Sequence, residues 1–295
     1  MSDPLVSAAW LDEHRESVRI VDVRDAWEYD ALGQVPGAVN VPFDTFRADE
    51  HAAEAERDAG EADADAGEAD ADAKEAIHAE GEPGNGDRQG MLPAAADFAD
   101  LMGRAGVSRV DDVVAYDDHH GVFAARLLVT LELFGHPPDR LHLLDGDFSA
   151  WQLEYVTETE APEVAPATYE VGKPVDSPLV SAEDVAAAVD DPGAVVVDTR
   201  EEREYEAGHI PGAVRLDWRE LVDDETRGIK PRAELEAVLA DRGIDPDRRV
   251  LLYCNTARRI SHTYTVLRHL GYEDVGFYEG SLAEWEAAGR PVETA

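Results

Sequence analysis

The residue best suited to covalent chemistry is Cys254, the only cysteine in the chain of 295 residues. A lone cysteine cannot form an intramolecular disulfide, and it makes a cysteine-based structural zinc site implausible. The thiol is therefore either a small buried apolar group or a working nucleophile. The residues that follow it favour the second interpretation.

The segment after Cys254 combines a polar loop with two arginines. Residues 250–253 predict a buried strand that ends at the cysteine, and a helical pattern begins near Arg259. In a parallel α/β sheet, this places the thiol at the carboxyl end of a strand, where such sheets bind ligands. The intervening loop consists of Asn255, Thr256, Ala257 and Arg258.

This loop can form a cradle for an anion. Its backbone N–H groups and the helix N-terminus can converge on one point, and Arg258 and Arg259 add positive charge. A positive potential favours the thiolate and lowers the pKa of a thiol. We therefore predict that Cys254 is a nucleophile that attacks a small anion. A core cysteine that ends a strand is the alternative.

An internal repeat supplies a comparison for the cysteine. The anchors that recur in order include VDVRDAWEY and VDTREEREY, VPGAV and IPGAV, and the acid–glycine pairs that precede Trp151 and Trp285. The first copy has Asp117 where the second has Cys254. A carboxylate cannot act as a sulfur nucleophile, so the first copy is predicted to be catalytically silent.

Histidines and an arginine follow Asp117 in the first copy. His119 and His120, beside Asp117 and Asp118, raise the question of a metal site. Adjacent histidines at a loop turn usually point apart, so we interpret them as surface residues and predict no metal. Arg126, in the helix that follows, either pairs with Asp117 or projects across the domain interface.

Alternating strand and helix patterns predict two α/β domains, each a parallel sheet flanked by helices. We place an inactive domain at residues 1–156, a linker at 157–178 and a catalytic domain at 179–295. An acidic low-complexity insertion occupies residues 49–90, and Ala/Asp/Glu repeats dominate 49–82. This composition predicts disorder, and we expect its deletion to leave activity intact. The predicted strands are residues 18–23, 112–116, 140–144, 194–197, 250–253 and 275–278.

The charge balance excludes some partners and indicates an environment. The chain has 65 acidic residues against 26 Lys and Arg, for a formal net charge of −39. Nucleic acid is not an expected partner. The acidic residues are spread over both halves, which indicates adaptation to a cytoplasm of high salt; an acidic docking face is the alternative. Without a signal-like start or a run of about 18 apolar residues, we expect a cytoplasmic protein with no membrane association.

Taken together, these motifs resemble the rhodanese family, specifically its tandem-domain thiosulfate sulfurtransferases. The residues that carry the resemblance are Asp198-Thr-Arg200, Glu204-Tyr205, Gly208-His-Ile-Pro-Gly-Ala213, the Cys254 loop with Arg259, and Glu279-Gly280 with Trp285. The resemblance covers both domains and implies two tandem rhodanese-like folds, the first inactive and interrupted by the acidic insertion.

The resemblance also implies a mechanism that needs no cofactor. Cys254 would take the outer sulfur of thiosulfate as a persulfide and pass it to cyanide or a thiol. The loop from Asn255 to Ala257 and Arg259 would stabilise the charged sulfur, and Arg258 would hold the sulfonate. By the same resemblance, Arg126 reaches the site from the inactive domain. The last pair, Asp198 and Arg200, would brace the loop.

Two departures leave the substrate open. Asn255 and Ala257 stand where thiosulfate-using members usually have a basic residue and a glycine. A 3-mercaptopyruvate sulfurtransferase is one alternative, although its Cys-Gly-x-Gly pattern is absent. A persulfide carrier or regulatory module that does not turn over small thiols is another. A phosphatase of related fold would need an arginine one position later, where the chain has Ile260.

Overall fold

The computed structural model describes residues 3–48, 92–174, 176–255 and 257–295. These residues form two α/β domains that correspond to the two sequence repeats. The insertion predicted at 49–90 lies outside the described residues, as does Thr256 of the cysteine loop.

The first domain is built on a parallel sheet of five strands in the order β1-β5-β4-β2-β3. The strands are β1 (Leu5–Ser7), β2 (Arg19–Asp22), β3 (Val39–Asn40), β4 (Val113–Tyr116) and β5 (Leu141–Asp145). The helices are α1 (Ala8–His14), α2 (Ala26–Leu32), α3 (Ala95–Arg104), α4 (Val122–Leu133) and α5 (Phe148–Glu154), with 3-10 turns at Phe43–Phe46 and Pro138–Arg140.

The second domain repeats this plan with a parallel sheet of four strands in the order β7-β6-β8-β9. Its strands are β6 (Ala194–Asp198), β7 (Val214–Arg215), β8 (Arg249–Tyr253) and β9 (Val275–Phe277). Its helices are α6 (Ala182–Val189), α7 (Glu202–Ala207), α8 (Arg232–Ala240), α9 (Arg258–Leu270) and α10 (Ser281–Ala287), with a 3-10 turn at Trp218–Leu221. A single parallel bridge between Leu179 and Phe277 takes the place of the fifth strand.

The strand that leads to the cysteine shows why both faces of the sheet must be covered. Along β8, Val250 and Leu252 join one hydrophobic cluster, which also contains Cys254. Leu251 and Tyr253 join the cluster on the other face. This alternation follows the two-residue period of a strand, and it places the cysteine on the face covered by α9.

The six strands predicted from the sequence are all present, and none of their ends is shifted by more than one residue. The helix expected near Arg259 begins at Arg258. The strands β1, β3 and β7 were not predicted, because two or three residues are too few to show a hydrophobic period.

The two domains pack through α9, which follows the Cys254 loop, and α4, which follows the corresponding Asp117 loop. Val129 and Leu133 of α4 belong to the same buried cluster as Tyr264 of α9. The Tyr264 hydroxyl donates a hydrogen bond of 2.9 Å to Glu132 of the first domain. Each helix follows the loop of its own domain, so this contact brings both loops to the domain interface.

The segment between the repeats lies against the first domain. Gln34 and Glu158 exchange backbone hydrogen bonds of 2.7 and 3.0 Å, and the Ala167 N–H donates to the Gly103 carbonyl at 2.9 Å. The predicted linker therefore follows the surface of the first domain. Within the part of the chain that the structure describes, no helix is long and apolar enough to cross a membrane.

Candidate active site

Cys254 is the first residue after β8, and its side chain is buried, with a relative exposure of 1%. Its backbone N–H donates to the Ser281 hydroxyl at 3.1 Å, and its carbonyl accepts from the Leu282 N–H at 3.1 Å. The Ser281 hydroxyl in turn donates to the Tyr278 carbonyl at 3.0 Å. The start of α10 therefore fixes the peptide that carries the thiol.

The loop ends at a backbone position that few side chains adopt. Ala257 has φ +59° and ψ −9°, the left-handed conformation, and α9 begins at the next residue. A residue with a Cβ atom holds this conformation at a cost of about 1–2 kcal/mol. The Ala257 carbonyl accepts hydrogen bonds from the backbone and the hydroxyl of Ser261, which lock the turn onto the first turn of the helix.

Arg259 and Asn255 are both held by Glu204 of α7. Arg259 donates two hydrogen bonds to the Glu204 carboxylate, at 2.5 and 3.2 Å, and the Asn255 amide donates to it at 2.8 Å. Burial disfavours both charges, but the hydrogen bond and the attraction outweigh it: the pKa of Arg259 is raised and that of Glu204 is lowered. The pair stays ionised and fixes two side chains of the loop.

The side chain of Arg258 has no hydrogen bond or ion pair to any residue that the structure describes, and its Nε is buried without a partner. Its guanidinium lies 4.8 Å from the ring centroid of Phe123, which belongs to the first domain. Burial lowers the pKa of Arg258, and so does the charge of Arg259, whereas the Cys254 side chain raises it. This cation beside the thiol is therefore available to an anion.

Asp198 and Arg200 form a buried ion pair at the end of β6. Arg200 donates to both carboxylate oxygens of Asp198, with distances of 2.6 to 3.1 Å, and to the Gly208 carbonyl at 2.6 Å. Its remaining terminal nitrogen donates to the Asn255 side chain at 3.4 Å. The pair thus contacts the loop through Asn255.

Arg126 projects across the domain interface, one of the two outcomes expected from the sequence. It is fully buried, and its two terminal nitrogens donate to the two carboxylate oxygens of Glu279 at 2.9 and 2.7 Å. Glu279 stands two residues before Ser281, which holds the Cys254 peptide. The first domain is thereby connected to the cysteine through an ion pair.

In the first domain, the loop that corresponds to the cysteine loop binds the carboxylate of Asp117. The Asp117 carboxylate is buried and accepts four backbone hydrogen bonds of 2.7 to 3.0 Å. The donors are the N–H groups of His119, Gly121, Phe123 and Ala124. Burial raises the pKa of Asp117, whereas the four N–H groups lower it, so the backbone of such a loop offsets part of the cost of a buried negative charge.

An arginine of the second domain, Arg227, contacts the region of the Asp117 loop. Arg227 donates to both oxygens of Asp147 at 2.7 and 2.8 Å and to the Asp118 carbonyl at 3.2 Å. His120, which we expected at the surface, is half-buried, with its ring nitrogen 3.3 Å from the Arg227 carbonyl, whereas His119 is exposed. Arg126 of the first domain and Arg227 of the second thus each bind acidic residues near the corresponding loop of the other domain.

The structure assembles most of the predicted site residues around Cys254 and adds three that sequence reasoning did not select. These are Glu204, Glu279 and Ser281. Glu204 and Glu279 stand in motifs that recur in both copies with an acidic residue at the same position, so the repeat could have identified them. Ser281 corresponds to Asp147 in the first copy, so the repeat did not point to it. Among residues 3–48, 92–174, 176–255 and 257–295, no group of three or more His, Cys, Asp or Glu side chains could hold a metal ion.

Comparison with known proteins agrees with this geometry. The family profile of the Rhodanese-like domain matches residues 7–154 and 181–288, which contain the two sheets. Thiosulfate sulfurtransferase of Pseudomonas aeruginosa is 35% identical over 210 residues, covering 66% of this chain and 74% of that protein. Thiosulfate sulfurtransferase of Corynebacterium glutamicum is 36% identical over 218 residues, covering 67% of this chain and 71% of that protein.

A solved structure shows the same arrangement of both domains. The crystal structure of SseA from Escherichia coli, a 3-mercaptopyruvate sulfotransferase, superimposes with a TM-score of 0.71 at 24% identity, covering 95% of this chain and 99% of that one. At this identity the likeness concerns the fold. With both domains matched by the family profile and with relatives above 30% identity, the chain belongs to the rhodanese family as a tandem of two rhodanese-like domains.

Proposed function

We propose that the protein is a sulfurtransferase that moves the outer sulfur of thiosulfate to cyanide or to a thiol through a persulfide on Cys254. The observation that carries the proposal is the arrangement around the thiol. Cys254 directly follows a parallel strand, the next helix begins four residues later, and the Arg258 side chain has no hydrogen-bond or ion-pair partner among the described residues. The relatives named as thiosulfate sulfurtransferases support the same reaction.

In the first half-reaction, the Cys254 thiolate attacks the outer sulfur of thiosulfate. A bond forms between the cysteine sulfur and that sulfur, and the sulfur–sulfur bond of thiosulfate breaks with its electron pair on the departing sulfite. In the second half-reaction, cyanide or a thiolate attacks the outer sulfur of the persulfide. The bond to the cysteine breaks, and its electron pair restores the thiolate.

Arg258 binds the sulfonate group of thiosulfate in this proposal, because it is the cation beside Cys254 that no described carboxylate neutralises. The backbone N–H groups of Asn255, Thr256 and Ala257 stabilise the charge on the persulfide. The Asp117 carboxylate, held by four N–H groups in the first domain, supports this role by analogy.

The remaining predicted residues position the site. Arg259 contributes positive charge near the sulfur while Glu204 fixes its orientation. Asp198 and Arg200 brace Asn255, and Arg126 acts through Glu279.

We keep the proposed boundaries: an inactive domain at residues 1–156, a linker at 157–178 and a catalytic domain at 179–295. We also propose that the enzyme acts in the cytoplasm.

A second donor, 3-mercaptopyruvate, is favoured by the structural likeness to the Escherichia coli enzyme. Its thiol sulfur can be transferred, and its carboxylate can bind Arg258 in place of the sulfonate. Thiosulfate is preferred because the curated relatives with 35% and 36% identity are named for it.

The test is a comparison of donors in multimolar KCl. Purified protein is given cyanide with either thiosulfate or 3-mercaptopyruvate, and thiocyanate is measured beside the Cys254→Ser variant. We expect thiocyanate from thiosulfate with the wild type and none above background with the variant. Faster turnover of 3-mercaptopyruvate would transfer the proposal to that donor, and a folded wild type inactive with both would contradict it.

A further inference from the structure

The domain interface beside Cys254 carries three arginines on aromatic rings. The guanidinium of Arg258 lies over Phe123, and that of Arg47 lies 4.9 Å from the ring centroid of Phe43. Phe43 and Phe123 contact each other edge to face, with ring centroids 4.7 Å apart. Arg47 and Arg258 are thus connected by two touching rings of the first domain.

The third arginine is Arg219, which belongs to the second domain, as Arg258 does. Arg219 lies over Trp218 at 5.3 Å from its ring centroid. Trp218 is buried in a small cluster with Val122, and Phe123 packs against the same cluster. The three arginines therefore lie along one continuous aromatic surface, to which both domains contribute.

The positive charge of Arg258 is costly without an anion. Burial lowers the pKa of Arg258, and the charges of Arg259, Arg47 and Arg219 lower it further. The chain has 65 acidic residues against 26 Lys and Arg, so carboxylates that could neutralise these three arginines are abundant. Arg258 nevertheless has no described carboxylate partner. A group that arrives with the substrate can supply the missing negative charge.

The two outer arginines can turn toward such a group. Arg47 pairs with Asp44 at 2.7 Å and Arg219 pairs with Glu201 at 2.5 Å, and all four side chains are substantially exposed. Exposed ion pairs contribute only about 0–1 kcal/mol, so an incoming anion can compete for either guanidinium.

We propose that Arg47 and Arg219 form a second anion subsite outside Arg258, and that it binds the acid group of the physiological sulfur acceptor, an anionic thiol. The inference rests on the proposed function. Thiosulfate is compact, and its sulfonate is held at Arg258 directly beside the sulfur that is attacked. An acceptor that carries a carboxylate some atoms away from its thiol can reach the outer arginines while its sulfur approaches the persulfide.

The transfer step is the second half-reaction already described. The acceptor thiolate bonds to the outer sulfur, the bond from that sulfur to Cys254 breaks, and the electron pair remains on the cysteine. The product is the persulfide of the anionic thiol. No oxidant or reductant is required.

The test uses two acceptors that differ in charge but not in carbon number, 3-mercaptopropionate and 3-mercaptopropanol, with thiosulfate as donor and sulfite release as readout. At constant multimolar KCl, long-range attraction is screened within about 3 Å, so a difference in KM reports direct contact. We expect a lower KM for the carboxylate in the wild type. Arg47→Gln/Arg219→Gln should raise that KM about tenfold, and that of the alcohol less than twofold.

Matched controls separate this effect from a general loss of charge. Arg15 and Arg249 are also ion-paired and partly exposed, but Arg15 follows α1 and Arg249 lies at the opposite end of β8 from Cys254. Arg15→Gln/Arg249→Gln should leave the ratio of the two KM values unchanged, and Arg47→Lys/Arg219→Lys should retain part of the preference.

Equal KM values for the two acceptors in the wild type would overturn the inference, as would an equal rise of both in the Arg47→Gln/Arg219→Gln variant. Either result leaves the proposed function standing, because sulfite is still released. Absence of sulfite release with every acceptor, cyanide included, would instead contradict the proposed function.

Discussion

The ion pair between Arg126 and Glu279 should show a marked asymmetry when its partners are removed one at a time. Arg126 is fully buried, whereas 17% of the Glu279 side chain is exposed. Glu279→Gln leaves a buried guanidinium without a counter-charge, and breaking a buried pair in this way costs about 3–5 kcal/mol. Arg126→Met replaces the cation with an apolar chain and leaves a carboxylate that water can reach, at a cost of about 1–3 kcal/mol.

The measurement is urea unfolding followed by circular dichroism at constant multimolar KCl. Midpoint shifts at unchanged slope give the change in the free energy of unfolding. We expect Glu279→Gln to be less stable than Arg126→Met by about 2 kcal/mol, from the two costs above. The double variant should lose less than the sum of the two single variants, because they remove one shared interaction.

Arg15→Met is the matched control, since its partner Asp12 and its own side chain are partly exposed. Its cost should stay below about 1 kcal/mol. Equal losses for Arg126→Met and Glu279→Gln, or a greater loss for Arg126→Met, would refute the reasoning. Arg126 would then contribute through packing and not through its charge.

Three further predictions concern stability and the insertion. Burial lowers the pKa of His262 to about 3, so as the pH falls below about 6.5 the unfolded chain gains a proton that the folded chain does not. From pH 6 to pH 4 the wild type should lose roughly 2–3 kcal/mol more of unfolding free energy than His262→Leu, and parallel pH profiles would contradict this. Ala257→Gly should stabilise the protein by about 1 kcal/mol, because glycine adopts the left-handed conformation without strain; a lower thermal midpoint would argue against that strain. Deletion of residues 49–82 should leave turnover at saturating salt unchanged, and a large loss would give the insertion a role in folding or catalysis.

The sequence predicted the sheets well because buried parallel strands are strongly patterned. Residues 250–253 and 194–197 are continuous apolar runs between turn residues, and both form central strands. The edge strands β3 and β7 have two residues each, and their backbone pairing depends on the neighbouring strand more than on their own side chains.

The site was predictable where the chemistry lies within one segment and less so where it depends on long-range contacts. Cys254, Arg258 and Arg259 lie in one short segment of the chain, so their proximity followed from the sequence. The partner of Arg259 is Glu204, 55 residues away, and no local pattern identifies that contact. The same holds for Arg126 and Glu279, which are 153 residues apart.

The central claim is that sulfur is carried covalently on Cys254, and mass spectrometry tests it directly. The folded protein is incubated with thiosulfate, freed of excess donor and weighed intact. The account predicts that the wild type gains the mass of one sulfur atom, that peptide mapping places it on Cys254, and that cyanide removes it as thiocyanate. The Cys254→Ser variant should gain nothing. A wild type that catalyses thiocyanate formation without this adduct, or an equal gain in the variant, would contradict the account.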